Sequence, residues 1–558
     1  MSTVSELVTK QVWKAISVSM DNKQLPQSAI PDILIERPQK KEHGDFACTI
    51  SLKLSKILNM NPIDIANIIV SNFDSDGIIS NTHIVPPGFI NLTLDSNWLS
   101  NQVSLIIDTP NKFTQSNLGN NKKIQVEYVS ANPTGQLHVA HIRGAVIGST
   151  LANILEATGY EVQQEYYIND AGNQIENFNK SLALRYKQLF DNNIEFPEGL
   201  YPGEDIISIA KKIKDLEGSK YLELDAADLE STLGLLGKKI ILSQIESELH
   251  LLGINFDTWF SEKSLLDNGE FQHCISVIEN SGYTKKKDGA IWLNTTKLGE
   301  EKDNVLIRSN GTPTYYATDI AYHFNKFKKR SFESVIDIWG ADHHGQIPRL
   351  KKALTLLGID PSKLEVVLVQ MVRFKKGPIT EKLSKRKGTA IPLTTLVEEI
   401  GPDACRYLFL SRSHESQVEF DLDLAKKQSS ENPIYYIQYA HARICSILKS
   451  ANNKNIDYSE CINNITYQEK SELELIKKLV EFPEILESSS KNLSPHYVPH
   501  YSFELASQFH LFYQHCRILD DDSNNLDIVI SRLLLSDATR IILNTCLTIM
   551  GMTSPEEM

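Results

Sequence analysis

The chain has 558 residues, 41% of them apolar and 23% charged, and this length exceeds what one hydrophobic core supports, so we expect two to four domains. No apolar run approaches the ~18 residues of a membrane span, and the N-terminus lacks the apolar region of a secretory signal. The net charge of −13 argues against indiscriminate nucleic-acid binding but allows a local basic surface.

Seven cysteines are scattered along the chain, and none of them forms a C-x-x-C pair. Such spacing is typical of reduced thiols in a cytosol and predicts neither a disulfide framework nor a zinc site. We therefore expect a cytoplasmic protein that does not associate with a membrane and holds no zinc.

The N-terminal part of the chain forms the first predicted domain. It contains helical patterns and one strand, Gly88–Leu94, whose apolar residues alternate with a period of two. Residues 109–123 are mostly turn-forming residues with little apolar content, which predicts a linker. The chain therefore begins with a small domain that is joined to the rest by irregular structure.

A strand–helix–strand unit follows this linker. Residues 124–128 alternate as a strand, apolar residues between His141 and Thr158 recur at helical spacing, and residues 160–168 return to strand composition. Gly159 stands where a helix C-terminal cap is expected. This order predicts a parallel sheet with a right-handed crossover.

The remainder of the chain divides into three stretches. Residues 180–300 are rich in helical and charged segments and predict an insertion. Strand patterns resume at Ser334–Trp339 and Leu364–Val369, and from Asn432 onward the pattern is helical throughout. We therefore expect an α/β domain with an insertion, followed by an all-α domain.

Two histidines, His138 and His141, lie three residues apart at the predicted strand-to-helix turn, after Asn132-Pro-Thr-Gly135 and before Arg143-Gly144. Helix N-termini present free N–H groups and a positive dipole, so they attract phosphate. Two imidazoles there can hydrogen-bond an α-phosphate as its charge rearranges. The alternative is metal ligation, for which no third ligand lies nearby in the sequence.

A basic segment lies about 240 residues later. Arg373–Lys387 carries seven basic residues and one acid, and by itself such a run is typical of a solvated loop. Lys382 and Lys385 supply mobile cations that can hold the β- and γ-phosphates while pyrophosphate leaves. The histidine and lysine segments together predict a nucleotide-binding α/β domain that acts on ATP phosphates from two sides.

Three further motifs, Tyr166–Gly172, Trp339–Gly345 and Asn432–Arg443, complete a family resemblance. With the histidine and lysine segments, which resemble the two signatures of class I synthetases, the chain resembles bacterial-type arginyl-tRNA synthetases over essentially its whole length. Two positions differ from the family pattern. Ala140 replaces the usual glycine of the first signature, which adds a methyl group where adenine packs, and Leu383 replaces a methionine of similar volume.

The resemblance implies an α/β multidomain fold. It places an N-terminal α/β additional tRNA-binding domain at residues 1–115 and a Rossmann-like parallel-sheet catalytic domain at 120–425, with an insertion at about 180–300. A C-terminal all-α anticodon-binding domain follows at 430–558.

The resemblance also implies the reaction. ATP and L-arginine give arginyl-adenylate and pyrophosphate with Mg²⁺ present, and the arginyl group then passes to the terminal ribose of tRNA(Arg). Members of the family typically bind tRNA before they activate the amino acid. We expect the same order here, in a monomer.

The arginine side chain is expected to meet carboxylates, because a guanidinium is a planar fork of hydrogen-bond donors. Glu127 lies on the strand that enters the first signature, and Tyr315 and Asp319 lie one turn apart on a predicted helix. The resemblance implies that Glu127 and Asp319 flank the guanidinium and that Tyr315 hydrogen-bonds it. The alternative is that both acids are ordinary surface residues.

The other end of arginine and the nucleotide are assigned by resemblance. Asn132 and Asp342 are implied to hold the α-amino and carboxylate groups, although ribose contact, shared with His343 or His344, is an alternative for Asp342. The implied ATP contacts are His138, Ala140, His141, Gly340, His343, Lys382, Ser384 and Lys385.

Two regions are implied to contact tRNA. In the N-terminal domain they are Phe89 and Asn91, for which a core strand is the alternative. In the C-terminal domain, Tyr439 and Arg443 belong to a run of aromatic and cationic residues of the kind on which unpaired bases stack, although such a stripe at helical spacing is also typical of a helical core. Met558, the last residue, is implied to lie near the anticodon.

Three other functions would make different demands on the sequence. A cysteine-specific class I synthetase needs zinc-ligating cysteines in the catalytic half, and a small nucleotidyltransferase does not need the C-terminal helices. The third rival is a catalytically silent synthetase-like tRNA-binding protein, against which the intact His138, His141, Lys382 and Lys385 argue.

Overall fold

The fold is that of a computed structural model, which describes residues 3–38, 40–73, 77–133, 137–375, 377–378, 391–458, 466–519 and 526–558. The predicted site residues Lys382, Ser384 and Lys385 lie outside this range. Within it, no helix combines the length and the apolar character needed to cross a bilayer.

The N-terminal domain is a four-stranded antiparallel sheet, ordered β1-β2-β4-β3, covered by helices. The predicted strand is confirmed as β4, which pairs with both β2 and β3. The predicted irregular linker is wrong over residues 110–114, because Pro110 at the first helical position begins a short helix there. The elements are α1 (Val4–Asp21), β1 (Ile35–Glu36), β2 (Phe46–Cys48), α2 (Ile50–Leu58), α3 (Pro62–Ser71), β3 (Ile79–Val85), β4 (Phe89–Leu94), α4 (Ser96–Asp108) and α5 (Pro110–Thr114).

The second domain is built on a five-stranded parallel sheet, ordered β12-β11-β5-β6-β7. The predicted strand–helix–strand unit is confirmed as β5, α6 and β6. Gly159 follows the end of α6 with a φ of +85°, the left-handed conformation in which glycine commonly ends a helix. The sheet and its first crossover are β5 (Lys123–Glu127), α6 (Val139–Ala157), β6 (Glu161–Ile168), β7 (Thr258–Ser261), β11 (Ser334–Gly340) and β12 (Leu364–Val369).

The segment between β6 and β11 contains more than the predicted helices. Strand β7 lies within it and pairs with β6, so the chain returns to the parallel sheet before it leaves again. A separate antiparallel sheet, ordered β10-β9-β8, follows. The elements are α7 (Asn173–Gln188), α8 (Glu204–Glu217), α9 (Ala226–His250), α10 (Glu262–Asp267), α11 (Glu270–Asn280), β8 (Thr284–Lys287), β9 (Ala290–Leu293), β10 (Asn304–Ile307) and α12 (Tyr315–Phe324), which continues into a π-helical turn (Asn325–Lys329).

The described part of the chain after β12 is mainly helical, apart from one two-stranded parallel sheet. The helical pattern predicted from Asn432 onward is confirmed. The elements are α13 (Ile347–Leu356), before β12, and then β13 (Val372–Phe374), α14 (Leu393–Ile400), α15 (Pro402–Leu410), β14 (Val418–Phe420), α16 (Leu422–Ala425), α17 (Pro433–Asn453), α18 (Lys470–Leu479), α19 (Phe482–Lys491), α20 (Tyr497–His515) and α21 (Leu526–Ile549).

One cluster of buried apolar residues extends from Val4 to Met552 and so runs through all three predicted domains. A second cluster surrounds β10, α12 and α13. The predicted domains are therefore packed against one another over apolar surfaces, and not joined only by linkers. The carboxyl ends of the five parallel strands face a common edge, which is where open α/β sheets bind ligands.

Candidate active site at the carboxyl ends of the parallel strands

The two histidines of the first signature lie at the beginning of α6. His138 is the N-cap residue, and the ring centroids of His138 and His141 are 4.0 Å apart. Burial lowers the pKa of both imidazoles, that of His141 to about 4. Both rings are therefore neutral at pH 7, so they meet a phosphate as hydrogen-bonding groups beside the positive end of the helix dipole.

The first signature is joined through its backbone to the segment that follows the lysine loop. The N–H of Val139 donates to the carbonyl of Ile391 at 3.2 Å, and the N–H of Leu393 donates to the carbonyl of Leu137 at 3.1 Å. His138 and Pro392 form an isolated antiparallel bridge. Residues 391–393 are thus paired with the histidine turn, while the lysines that precede them in the sequence lie outside the described residues.

Four carboxylates lie close enough to Tyr167, near the ends of β6 and β7, to act through their charge on its hydroxyl. They belong to Glu127, Asp170, Glu262 and Asp319. Burial raises the pKa of the Tyr167 hydroxyl, and the negative charges of these four acids raise it further. This group of acids, the acidic pocket, is suited to a cationic ligand.

Two of these carboxylates have an unusually high proton affinity. Burial raises the pKa of Asp319 to about 6 and that of Glu262 to about 7. The Glu262 Oε2 atom is buried and has no hydrogen-bond partner among the described residues. A cationic ligand placed between these two groups would ionise both and supply the missing donor.

The predicted Glu127 is held by an internal cation. Its Oε2 accepts from Lys326 Nζ at 2.6 Å, and its Oε1 accepts from Ser130 Oγ at 3.0 Å. Lys326, which is fully buried, also donates to Asp337 at 2.9 Å. Burial acts to raise the pKa of Asp337, but Lys326 and His323 outweigh it and bring the pKa to about 2. Lys326 thus neutralises part of the pocket and fixes the orientation of Glu127.

Asp170 acts on the pocket indirectly. Its Oδ1 accepts from the N–H of Lys263 at 3.0 Å, and both of its oxygens accept from Ser261 Oγ. Lys238 neutralises it at 2.9 Å. Asp170 therefore holds the beginning of α10, the helix on which Glu262 is the first residue.

The remaining predicted small-molecule contacts lie along the same edge. Asn132 is exposed after β5 and donates to Gln174 at 3.1 Å. Tyr315 is 49% exposed at the first position of α12. Gly340 ends β11, and a Cβ there would lie 2.5 Å from Asp342 Oδ1. Asn132 and Gly340 thus lie at or after the carboxyl ends of neighbouring parallel strands, and Tyr315 begins the helix that carries Asp319.

Asp342 and His343 project from the turn after β11. The Asp342 side chain is 81% exposed and lies 3.6 Å from His343 Nε2. His343 Nδ1 lies 2.9 Å from Gln346 Nε2. Both residues are accessible to a ligand at the sheet edge.

The C-terminal helices bring the predicted Tyr439 and Arg443 together. The Arg443 guanidinium lies 4.7 Å from the Tyr439 ring centroid and 4.8 Å from that of Tyr513, and it hydrogen-bonds the Tyr439 hydroxyl. Tyr435 stacks on Tyr439 with an interplanar angle of 8°. Tyr439 also stacks with His510, with ring centroids 6.0 Å apart, and it is half-buried, so part of its surface is exposed to solvent.

The other predicted tRNA contacts differ in accessibility. Phe89 is half-buried on β4, whereas Asn91, two residues on, is 6% exposed. Met558 is 51% exposed. Of the two N-terminal candidates, Phe89 therefore offers more surface to a partner.

Sequence reasoning missed the residues Asp170, Glu262, Lys326 and Tyr513. A usable signal existed for Glu262, because the aromatic stretch Thr258–Ser261 has strand composition and an acid follows it directly, at the carboxyl end. No comparable signal marks Lys326, which is one of several lysines in a basic stretch until the π-helical turn directs it inward.

Groups of three or more His, Cys, Asp or Glu side chains placed to hold a metal ion do not occur among the described residues. Six cysteines within that part of the chain are free thiols.

Three family models match successive parts of this chain. They describe the arginyl-tRNA synthetase N-terminal domain over residues 6–94, the class I (R) tRNA synthetase catalytic domain over 102–418, and the DALR anticodon binding domain over 437–558. Their order agrees with the order of the three domains in the fold.

Similar proteins match over nearly the full length. An arginine–tRNA ligase of Dehalococcoides mccartyi is 44% identical over 555 residues, covering 100% of this chain and 99% of that protein. One from Carboxydothermus hydrogenoformans is 45% identical over 526 residues, or 94% of each chain. The arginyl-tRNA synthetase structure from Thermus thermophilus shares the fold, with a TM-score of 0.74 at 21% identity over 99% of this chain and all of that one. The chain therefore belongs to the arginyl-tRNA synthetase family.

Proposed function

We infer that this chain is an arginine–tRNA ligase that uses ATP. The arginine carboxylate attacks the α-phosphorus, pyrophosphate leaves, and arginyl-adenylate forms. A hydroxyl of the terminal tRNA ribose then attacks the arginyl carbonyl, and AMP leaves. The observation that carries the choice of arginine is the group of four carboxylates that act on Tyr167, in the same domain as the phosphate-attracting start of α6.

In the proposed arginine site, the guanidinium lies between Asp319 and Glu262. Supporting this are the burial of Glu262, the half-buried position of Asp319, the raised pKa values of both carboxylates and the unpartnered Glu262 Oε2. A planar donor fork can satisfy two carboxylates at once. Tyr315 adds its hydroxyl from the rim. Glu127, already held by Lys326, faces the same pocket and contributes negative charge.

Asn132 and Asp342 are proposed to bind the α-amino and carboxylate end of arginine. Both lie at carboxyl ends of neighbouring parallel strands, β5 and β11. Gly340 and His343 are proposed to contact the nucleotide beside them. The close approach of Asp342 to Gly340 supports this assignment, since a side chain at 340 would displace that carboxylate.

The phosphates are proposed to bind between α6 and the lysine loop. Neutral imidazoles of His138 and His141 hydrogen-bond the α-phosphate, Ala140 lies against adenine, and Lys382, Ser384 and Lys385 hold the departing pyrophosphate. This role needs mainly positioning and charge neutralisation. The backbone pairing of Leu137–Val139 with Ile391–Leu393 supports it, because residues only a few positions after the lysine segment are paired with the first signature.

Magnesium is proposed to accompany ATP, as Mg²⁺ usually binds through substrate phosphates with few protein ligands. The described residues do not offer a three-ligand metal group, so no residue of the chain is assigned to the ion.

The tRNA contacts are proposed to lie at both ends of the chain. Tyr439 and Arg443, with Tyr513, form a stacking surface for anticodon bases, and Met558 lies at the end of the same domain. Phe89 and Asn91 are proposed to meet the tRNA from the N-terminal domain. We also propose the domain limits 1–115, 120–425 and 430–558, a monomeric state and a cytoplasmic location.

The test is ATP–pyrophosphate exchange with arginine, measured with and without tRNA(Arg), followed by charging of that tRNA. Arginine-dependent exchange and stable arginyl-tRNA are expected. Binding of tRNA with neither exchange nor charging would instead favour a catalytically silent tRNA-binding protein. None of the sequence or structural observations supports that alternative.

A further inference from the structure

Glu248 is a buried carboxylate that lies directly against the first signature. It belongs to the last turn of α9 and is 8% exposed. Its Oε2 accepts a hydrogen bond from the backbone N–H of Leu137 at 3.0 Å. Leu137 precedes His138 and is 1% exposed, so water does not replace this acceptor. Glu248 therefore satisfies a backbone donor that would otherwise be buried without a partner.

The hydrogen bond acts on a segment that is already fixed on its other side. The carbonyl of Leu137 and the N–H of Val139 are both paired with Ile391–Leu393. The carbonyl of Leu137 is thus held by the N–H of Leu393, while the N–H of Leu137 is held by Glu248. Because backbone torsions at Leu137 set where His138 points, both contacts bear on the position of its imidazole.

Helix α9 is a rigid support for this contact. Gly234 and Gly237 allow α9 to approach α7 closely, since a Cβ at either position would collide with Asn179 or Leu182. A side chain carried by a tightly packed helix is positioned more accurately than one on a loop.

The end of α9 is also tied to the helix that His138 begins. The carbonyl of Leu252, just past α9, accepts from Arg406 Nη1 at 2.8 Å. Arg406 Nη2 donates in turn to Ser149 and Thr150 on α6, at 2.9 and 3.2 Å. Arg406 therefore links the end of α9, which carries Glu248, to α6. This link and the hydrogen bond to Leu137 both fix the distance between the Glu248 carboxylate and the turn before α6.

We propose that Glu248 is a positioning residue for His138. Its carboxylate oxygen fixes the turn at Leu137 so that the imidazole meets the α-phosphate as adenylate forms. The proposal rests on the proposed function, and it assigns a role in the reaction to the helical segment between β6 and β7. The role requires a hydrogen-bond acceptor on a side chain as long as that of glutamate. The negative charge of the side chain contributes less than its length.

Two conservative variants separate reach from charge. Glu248→Gln keeps an acceptor oxygen at the same reach without the charge, whereas Glu248→Asp keeps the charge but withdraws it by one methylene. Glu246→Asp is the matched control, because Glu246 is exposed on the same helix. For each protein, kcat and the KM values for ATP and arginine are measured by pyrophosphate exchange with tRNA present, together with the melting temperature.

The Gln variant is expected to keep kcat within about threefold of the wild type, and the Asp variant to lose at least about tenfold in kcat, since small misplacements of a catalytic group cost this much or more. The KM for arginine should change by less than about threefold in both, because Glu248 does not contact the acidic pocket. The Glu246 control should be unchanged.

Equal activity of the Asp variant and the wild type would overturn the proposal, and so would a Gln variant as impaired as Asp. If the loss of kcat were fully explained by a smaller fraction of folded, active enzyme, together with a lower melting temperature, Glu248 would have only a structural role. Absence of exchange by the wild type would contradict the proposed function and not this assignment.

Discussion

Asp319 is one of the two carboxylates proposed to hold the arginine guanidinium. We predict that Asp319→Ala weakens transition-state binding of arginine by about 2–4 kcal/mol, because the guanidinium is left without one of its partners in a desolvated pocket. The measurement is kcat/KM for arginine in pyrophosphate exchange, and Glu301→Ala, at an exposed acid, is the control. Activity within about threefold of the wild type would exclude Asp319 from the site.

The raised pKa values of Asp319 and Glu262, about 6 and about 7, predict a proton release. Both groups are partly protonated near pH 6.5 in the free protein, and a bound guanidinium favours their ionised forms. Arginine binding should therefore release about one proton at this pH, and affinity should fall as the pH decreases from 8 to 5.

Calorimetric titrations in buffers of different ionisation enthalpy measure this release. Glu262→Gln and Asp319→Asn should each reduce it. A binding enthalpy that does not vary with the buffer would show that neither carboxylate changes its protonation when arginine binds.

Tyr439 is predicted to act as a stacking surface. Tyr439→Ala should cost about 1–3 kcal/mol of tRNA affinity, the range for one base–aromatic stack, and it also removes a partner of Arg443. Filter binding with native tRNA(Arg) measures the loss, which should disappear with a tRNA whose anticodon bases are replaced. A lower melting temperature with unchanged tRNA binding would instead assign Tyr439 to the helical core.

At the scale of elements, the π-helical turn after α12 places a lysine where an apolar residue would ordinarily pack against a sheet. Lys326 lies between Glu127 on β5 and Asp337 on β11, and it joins the turn to both strands. Removing one partner from such a buried group leaves an unpaired buried charge. The resulting loss of folding stability is larger than the net stabilisation that the ion pair provides.

Lys326→Met is therefore expected to lower the free energy of unfolding by about 3–5 kcal/mol. The double variant with Asp337→Asn should recover part of this loss, because one fewer buried charge remains unpaired. Urea unfolding measures both variants. A single variant as stable as the wild type would show that water or rearranged side chains neutralise the two carboxylates.

At the scale of the whole molecule, the C-terminal helices are joined to the catalytic domain by buried contacts. Arg406 donates to the carbonyl of Met550 at the end of α21 and to Ser149 on the signature helix. Asp403, on the same helix as Arg406, accepts from the N–H of Thr553 at 3.2 Å. Through these packed elements, a change at the C-terminal helices can bias the helix that begins after His138.

We predict that pyrophosphate exchange is negligible without tRNA and appears when cognate tRNA is added. Removing residues 553–558 should reduce this stimulation, because it deletes the contact between Thr553 and Asp403 while leaving the buried Met550 in place. Exchange by the free enzyme at the full rate, with no response to tRNA, would show that the two sites are not coupled.

The sequence by itself determined the order of the domains, the parallel sheet and the family. The family, the fold class and the arginine–tRNA ligase function predicted from it are confirmed. These features are local, because the period of apolar residues marks each strand and helix, and contiguous motifs carry the two signatures. His138 and His141 could be placed at a helix start for that reason. The short helix at Pro110–Thr114 was missed, since polar residues there match a turn as well as a helix.

Only the tertiary structure decided which distant residues meet. Glu262 lies near Asp319 because β7 returns to the sheet after three helices, α7, α8 and α9, and Lys326 reaches Glu127 because a π-helical turn redirects its side chain. Glu248 meets the first signature although it lies 111 positions after Leu137 in the sequence. Burial then sets the proton affinities of the carboxylates, and burial depends on the packing of the whole chain, so no local pattern in the sequence contains it.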